Sequence, residues 1–324
     1  MTQRETTTDL SRRDFLLTSS AGALALSAGD AAHADDKTPL PKKTLGQTGV
    51  KVPIIGLGTA PAGFRTEKEA IALFNQCIDS GITYLDTAPE SGGYGKAQKY
   101  LGEVLKTRRK EVFVITKCHE PDGETALKVL KQNLAELQIE QADLVYAHSI
   151  GDDKMDPKTV YSPTGICKAL DKAKKDGLTR FVGVSGHNRP GRFLLALKEW
   201  EFDVMMNAVS LVSRHIYDFE SKVWPIAAKK KVGLAAMKIF GGALKGGVKG
   251  SRVPDELKPF ALRYALGLPQ VSVVVVGIHD EAELKQNLAW AKAFKSLTEA
   301  ESSDLEKTTK ALAGKWGNVY GQVV

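Results

Sequence analysis

Residues 112–148, VFVITKCHEPDGETALKVLKQNLAELQIEQADLVYAH, contain the strand–helix–strand unit that decides the fold. The stretch begins and ends with short apolar runs, 112–117 and 144–148, whose β-branched and aromatic residues favour β-strands. Between them, ETALKVLKQNLAELQ (124–138) places apolar residues at the i, i+3, i+4 spacing of an amphipathic helix. Two strands joined by such a helix are expected to lie parallel in one sheet.

The same unit recurs along the chain. Further strands are predicted at 54–58, 82–86, 181–185, 202–207, 232–237 and 271–277. Eight strands, each followed by a helix, favour a closed parallel barrel. The alternative is an open doubly wound sheet, which would usually carry G-x-G-x-x-G after its first strand. The chain reads TAPAGF (59–64) at that point.

Two additions flank the predicted barrel. KKTLGQTGVKVPII (42–55) consists of two short extended runs around a Gln-Thr-Gly turn, which predicts a β-hairpin over the barrel floor. Residues 297–310 have the pattern of an extra C-terminal helix. The predicted fold class is therefore α/β, a (β/α)8 TIM barrel with an N-terminal β-hairpin and an extra C-terminal helix, in one domain spanning 35–324.

The first 34 residues resemble an export signal. SRRDFLLTSSAGALALSAG (11–29) has paired arginines and then a short apolar stretch, and AHA (32–34) has the form of a cleavage site. The pair predicts a twin-arginine-type signal peptide over 1–34, and so the twin-arginine export machinery as a partner and a periplasmic location. A disordered tail is the alternative. The apolar run is too short to span a membrane, and no membrane span is expected elsewhere.

Charge and cysteine content argue against nucleic-acid binding and metal binding. The formal net charge is +7, and removal of residues 1–34, with three arginines and four acidic residues, would leave 290 residues at +8. The lysines are scattered and no nucleic-acid motif is present, so no nucleic-acid partner is expected. Cys77, Cys118 and Cys167 are too widely spaced for a zinc or iron–sulfur pattern, so neither a metal nor an iron–sulfur cluster is predicted.

Polar residues end three consecutive predicted strands. Asp86 ends the second strand, Lys117 the third and His148 the fourth, while Tyr94 lies on the loop DTAPESGGYGK (86–96). The C-terminal strand ends of a parallel barrel face a common pocket, and neighbouring strands lie roughly 4.8 Å apart. Each residue alone is common at a surface or in a loop. Together they indicate a catalytic group.

These four side chains suit proton transfer to a carbonyl. A phenol has a pKa of about 10 and is a weak acid at neutral pH. We expect Lys117 to lower the pKa of Tyr94 and Asp86 to hold the lysine in place, which would make Tyr94 a general acid. His148 would orient the carbonyl. Since the group contains no nucleophile for the carbonyl carbon, a hydride from a nicotinamide is expected.

Several motifs resemble those of the aldo-keto reductase family. They are LGQTGVKVPIIGLGTA (45–60), YLDTA (84–88), YGKAQKYLG (94–102), VFVITK (112–117), DLVYAH (143–148), RFVGVS (180–185), VVVVG (273–277) and LKQNLAWA (284–291). The resemblance covers nearly all of 43–293. It implies an (α/β)8 barrel that binds a nicotinamide cofactor without a Rossmann motif, with Asp86, Tyr94, Lys117 and His148 as the catalytic tetrad.

The resemblance also implies a set of cofactor-binding residues. These are Gly58, Thr59, Asp86, Ser185, Asn207, Met237, Lys238, Phe240, Gly241, Gly242, Gly277, Gln286 and Asn287. MKIFGGALKGG (237–247) resembles the pyrophosphate loop, although a Gly-rich loop with solvated lysines is the alternative. Gln286 and Asn287 resemble the pair that contacts adenine, and otherwise they are helix-surface amides.

The chain departs from the family pattern in several places. Tyr94 lies eight residues after Asp86 where five is usual, which indicates a three-residue insertion. Gly186, Met206 and Met237 replace residues that hold or stack on the nicotinamide in the family. Glu283 lies where many members have an arginine for the 2′-phosphate, and its charge would repel a phosphate. NADP(H) is the expected cofactor, with NAD(H) as the alternative.

The sequence therefore predicts an exported oxidoreductase that transfers a hydride between a nicotinamide cofactor and an aldehyde, ketone or sugar. His119 and His187 are tentative substrate contacts. One alternative is a binding protein on the same barrel whose catalysis is weakened by the departures from the family pattern. Another is a lyase or aldolase with Lys117 as a Schiff-base nucleophile.

Overall fold

The structure is a computed structural model that describes residues 38–242 and 250–324. The predicted signal peptide over 1–34 lies outside these residues, as do residues 243–247 of the predicted pyrophosphate loop. None of the helices within the described ranges has the length and apolar character needed to cross a bilayer.

Eight parallel strands form a closed barrel in which the last strand pairs with the first, as predicted. The strands are β3 (Ile55–Gly58), β4 (Tyr84–Asp86), β5 (Phe113–Cys118), β6 (Ala142–Ala147), β7 (Thr179–Gly186), β8 (Val204–Ala208), β9 (Gly233–Met237) and β10 (Val271–Gly277). Each lies within two residues of its predicted position at both ends. This agreement follows because the apolar β-branched runs are local features of the sequence.

Helices surround the barrel. They are α1 (Glu67–Asp79), α2 (Ala97–Arg108), α3 (Gly123–Leu137), α4 (Pro157–Val160), α5 (Ile166–Lys175), α6 (Pro190–Glu199), α7 (Phe219–Lys222), α8 (Trp224–Lys229), α9 (Lys258–Gly267), α10 (Glu281–Lys292) and α11 (Glu299–Trp316). The predicted C-terminal helix is α11. It begins with a capping box between Thr298 and Glu301 and continues beyond the predicted end to Trp316, and Gly317 follows with φ of +55°.

The N-terminal hairpin closes the barrel floor, as predicted. Strands β1 (Lys42–Thr44) and β2 (Lys51–Pro53) are antiparallel, and the turn between them lies against the start of β9. A Cβ on Gly46 would lie 2.2 Å from the amide nitrogen of Gly233, so only glycine fits there. Leu45 is fully buried in the barrel interior. The floor is therefore plugged, and the C-terminal strand ends form the open face.

Strand alternation decides which side chains enter the barrel. The interior contains Tyr84, Phe113, Ile115, Leu144, Tyr146, Val204, Met206, Ala235, Met237, Val273 and Val275. Residues of opposite parity, such as Cys118, pack between the strands and the helices. All three cysteines are buried and free. Lys117 shares the parity of Ile115 and so lies within the barrel, near its open face.

Candidate active site

A cavity of about 340 Å³ opens at the C-terminal strand ends, and Asp86, Tyr94, Lys117 and His148 all line it. Asp86 is the last residue of β4, Lys117 is the next-to-last residue of β5, and His148 directly follows β6. The three strands are neighbours in the barrel. The structure thus brings together the four residues that the sequence singled out.

The Lys117 ammonium is held by three oxygen acceptors. It donates to Asp86 Oδ2 at 2.7 Å, to the carbonyl oxygen of Thr87 at 2.8 Å and to the Tyr94 hydroxyl at 3.0 Å. An ammonium has three protons, so its donors are fully used. Burial lowers the pKa of Lys117, and the Asp86 carboxylate opposes that effect. The ion pair fixes the ammonium beneath the tyrosine.

The loop before Tyr94 places its hydroxyl over this pair. Glu90–Gly92 forms a single 3₁₀ turn, and Gly93 follows with φ of +83°, a conformation that favours glycine. The Tyr94 hydroxyl then donates to Asp86 Oδ2 at 3.1 Å. Gly63 packs against the backbone at this point, since a Cβ on it would lie 1.8 Å from the carbonyl oxygen of Tyr94. The extra residues between Asp86 and Tyr94 therefore form a defined turn.

The expected decrease in the pKa of Tyr94 is wrong. Burial of the hydroxyl raises the pKa of Tyr94 well above its ordinary value, and the charge of Asp86 and the hydrogen bond to it raise it further. The charge of Lys117 was expected to have the largest effect on the pKa of Tyr94. That charge is shared with Asp86, however, and desolvation disfavours the phenolate. In the free protein Tyr94 is thus a protonated phenol at neutral pH.

Three histidines lie near the cavity, and burial lowers the pKa of each. The pKa of His148 lies well below its ordinary value, and that of His187 falls to about 3. His187 lines the cavity. His119 does not line it but packs edge-on against His148, with ring centroids 5.6 Å apart, and its Nε2 lies 3.6 Å from an Asp152 oxygen. His148 and His187 are thus uncharged polar groups at neutral pH.

Most of the predicted cofactor residues line the cavity. They are Gly58, Asp86, Met237, Lys238, Phe240, Gly242, Gly277, Gln286 and Asn287. Lys238 is half-buried with a left-handed φ of +59°, and no hydrogen bond or ion pair ties its ammonium to the described residues. Burial lowers its pKa, and the nearby Asp86 charge opposes this.

Four predicted cofactor residues do not line the cavity. Thr59 is buried and donates through Oγ1 to the carbonyl oxygen of Asp86 at 3.1 Å, so it joins β3 to β4. Gly241 packs against Trp316 instead. Ser185 is buried at the end of β7, and its Oγ has no partner among the described residues. Asn207 has the parity of the outer face, where its Oδ1 accepts from the Trp224 indole at 2.9 Å, so the structure does not bring it to the cavity.

The cavity also includes residues that the sequence analysis did not identify. Phe64, Ser251, Lys258, His279 and Trp290 line it. They lie in the loops after β3, β9 and β10, at the start of α9 and in α10. Only Trp290 carried a usable signal, since it lies four residues after Gln286 and hence on the same helix face. His279 donates its backbone N–H to Glu283 at 2.8 Å, and its Nδ1 lies 2.9 Å from the same carboxylate oxygen. Glu283 also lines the cavity, in agreement with its position in the sequence.

Comparison with known proteins places this geometry in a family. The model of the aldo/keto reductase family matches residues 54–257. The chain belongs to that family. It is 27% identical over 312 residues to L-galactose dehydrogenase of Arabidopsis thaliana, covering 84% of this chain and 92% of the relative. It is 26% identical over 306 residues to D-threo-aldose 1-dehydrogenase of a Pseudomonas species, covering 75% and 90%.

A solved structure shows the same fold. The aldo-keto reductase AKR11C1 of Bacillus halodurans superposes with a TM-score of 0.68 at 22% identity, covering 84% of this chain and 97% of that protein. As a family member with dehydrogenase relatives over most of its length, this aldo-keto reductase is an NAD(P)H-dependent oxidoreductase of carbonyl and alcohol groups.

The residues present fit a nicotinamide dinucleotide. The same cavity is lined by Tyr94 and His148, by Lys238, and by Gln286, Asn287 and Trp290. Lys238, whose ammonium has no hydrogen bond or ion pair to the described residues, suits a pyrophosphate. Across residues 38–242 and 250–324, no three or more His, Cys, Asp or Glu side chains are arranged to hold a metal ion.

Proposed function

We propose that Tyr94 is the proton donor and acceptor of this oxidoreductase, with Lys117, Asp86 and His148 as its partners. The observation that carries the proposal is the shared contact of Tyr94 and Lys117 with one carboxylate oxygen of Asp86, on the wall of the cavity. When bound, the nicotinamide supplies or accepts the hydride at the carbonyl carbon.

Tyr94, Lys117 and His148 carry out the proton transfer and orient the substrate. The Tyr94 hydroxyl rotates from Asp86 Oδ2 towards the substrate oxygen and gives it a proton during reduction. The resulting phenolate oxygen stays 3.0 Å from the Lys117 ammonium, which stabilises its charge. His148 is uncharged at neutral pH and donates a hydrogen bond that orients the carbonyl. In oxidation the same proton returns to Tyr94.

Neither alternative function gains a specific observation. A Schiff-base role needs an unprotonated Lys117, whereas its ammonium donates to three oxygens here. The departures at Gly186, Met206 and Met237 remain the basis of the binding-protein alternative. That alternative predicts saturable nucleotide binding without turnover.

A sugar substrate is proposed on two grounds. Two relatives are named as L-galactose dehydrogenase and D-threo-aldose 1-dehydrogenase. His148 and His187 offer neutral hydrogen-bonding nitrogens at the cavity wall. Such nitrogens suit the hydroxyl groups of a substrate better than they suit ionised substrate groups. Measurement of kcat/KM for aldoses and sugar lactones, and for simple aldehydes that lack hydroxyl groups, tests this proposal. The sugars should be the better substrates, and a preference for the simple aldehydes would contradict it.

NADP(H) is the proposed cofactor and NAD(H) the alternative. Titration of the full chain with NADPH and with NADH, followed by nucleotide fluorescence, separates the two. We expect Glu283→Gln to improve NADPH binding relative to NADH by about fivefold, since two charges 4 Å apart in water repel by about 1 kcal/mol. Glu281→Gln on the same first turn of α10, where Glu281 pairs with Lys285, is the control. Absence of saturable binding by either nucleotide contradicts the proposed function.

Export by the twin-arginine route is also proposed, on the basis of residues 1–34. Because that route carries folded proteins, the enzyme would cross the membrane with its cofactor bound. Replacement of both Arg12 and Arg13 by lysine should retain the protein in the cytoplasm, as measured by cell fractionation. Export of this variant at an unchanged level would refute the twin-arginine assignment.

A further inference from the structure

Two tyrosines meet inside the barrel, on the strands that carry Asp86 and precede His148. The hydroxyls of Tyr84 and Tyr146 lie 3.3 Å apart, and both side chains are fully buried. Tyr84 is two residues before Asp86 on β4, so both point into the barrel. Tyr146 on β6 lies in register with Lys117 on β5. Tyr84 therefore lies one inward-facing position deeper in the barrel than Asp86, and Tyr146 lies beside Lys117 on the neighbouring strand.

The barrel is shaped to admit these two rings. A Cβ on Gly56 would lie 2.6 Å from Cδ1 of Tyr84, and a Cβ on Gly183 would lie 2.9 Å from two ring atoms of Tyr146. Phenylalanine would fill the same space, as Phe113 does beside Tyr84. A buried hydroxyl costs free energy unless it is hydrogen-bonded. The hydroxyls, rather than the rings, thus require an explanation.

The hydrogen bonds of the pair are incomplete. Each phenol has one proton, so one tyrosine donates to the other, and the accepting tyrosine has a proton left over. Asp86 Oδ1 is buried and has no partner among the described residues, while Oδ2 serves Lys117 and Tyr94. Burial raises the pKa of both Tyr84 and Tyr146, and the charge of Asp86 raises each further, so the carboxylate is within electrostatic reach of both hydroxyls.

We propose that Tyr84 and Tyr146 are positioning residues whose remaining O–H is directed at Asp86 Oδ1. No direct hydrogen bond joins the phenol pair to this oxygen, so the O–H acts as a dipole or through one bridging water. The interaction fixes the carboxylate so that Oδ2 faces Lys117 and Tyr94. It would act on catalysis only through Asp86, and its effect on the free protein is independent of the proposed function.

A double-mutant cycle on the free energy of unfolding tests the proposal. Tyr146→Phe should raise the unfolding constant about tenfold, the size of one hydrogen bond to a charged group. In an Asp86→Asn background the same change should raise it by no more than about threefold, since the charge is gone. Leu144→Val, on the same strand and also inside the barrel, is the control and should have equal effects in both backgrounds.

Equal effects of Tyr146→Phe in both backgrounds would overturn the proposal and leave the pair as core filling. If Asp86→Asn alone is too unstable to measure, Asp86→Asn combined with Lys117→Met removes both charges and serves as the background. An enzyme without turnover contradicts the proposed function but leaves the unfolding cycle decisive.

Discussion

Lys117 Nζ lies 2.7 Å from Asp86 Oδ2, and both side chains are at most 3% exposed. Two opposite charges are thus held out of water at the base of the cavity. A buried ion pair of this kind contributes little net stability compared with a well-packed apolar pair, but loss of one partner is costly. The pair therefore serves the site more than the fold.

Asp86→Asn should be strongly destabilising. It leaves the Lys117 ammonium buried without its counter-charge, and we expect a loss of about 3–5 kcal/mol in the free energy of unfolding measured with urea. The control is Asp176→Asn, which breaks the exposed Lys172–Asp176 pair on α5 and should cost less than about 1 kcal/mol. Similar losses in the two variants would mean that the buried pair is well solvated.

Tyr94→Phe should abolish most turnover while the fold persists. The change removes the proposed proton donor, and a general acid contributes about 10²–10⁴-fold to the rate. Nucleotide affinity should change by less than about threefold, since the ring remains. Steady-state kinetics and nucleotide titration measure both quantities. Tyr100→Phe, on α2 and outside the cavity, is the control and should behave as the wild type; full activity of Tyr94→Phe would refute the proposed role.

Gly63→Ala should impair catalysis through the Tyr94 loop. The new methyl group would lie 1.8 Å from the Tyr94 carbonyl oxygen, so the loop must shift. Displacement of a catalytic group by about 1 Å can cost about 10²-fold in rate. The contrasting variant is Gly314→Ala in α11, where a Cβ would have no neighbour within 4 Å. This substitution should raise the free energy of unfolding by up to about 1 kcal/mol. Unchanged kcat in Gly63→Ala would show that Tyr94 does not depend on this contact.

Acid should weaken the fold partly through His187. Its folded pKa of about 3 lies below the ordinary value of 6.5, so the unfolded chain binds an extra proton between these pH values. Stability therefore falls as pH drops from about 6.5 towards 3, by up to about 1.4 kcal/mol per pH unit. His187→Gln should reduce this slope accordingly, as measured by denaturant titration across the range. Above pH 7.5 the curves of variant and wild type should run parallel, and an equal slope below pH 6 would contradict the low pKa.

The sequence by itself determined the barrel and most of the candidate site. The apolar runs and helical spacings are local, so they predicted all eight strands and the hairpin. Asp86, Lys117 and His148 could be placed together because each ends or follows a strand, and parallel topology then requires a common face. The position of Tyr94 over Lys117 followed only if the extra loop residues formed a turn, which they do.

The tertiary structure alone decided what depends on burial and on distant segments. The pKa of Tyr94 rises because desolvation of the hydroxyl outweighs a lysine charge that Asp86 already shares. Asn207, which the sequence predicted to bind the cofactor, faces the helices because its neighbour Met206 occupies the interior. The contact between Tyr84 and Tyr146 joins residues 62 positions apart. Strand periodicity places side chains on faces, whereas solvation and hydrogen-bond partners are set only when those faces close around one another.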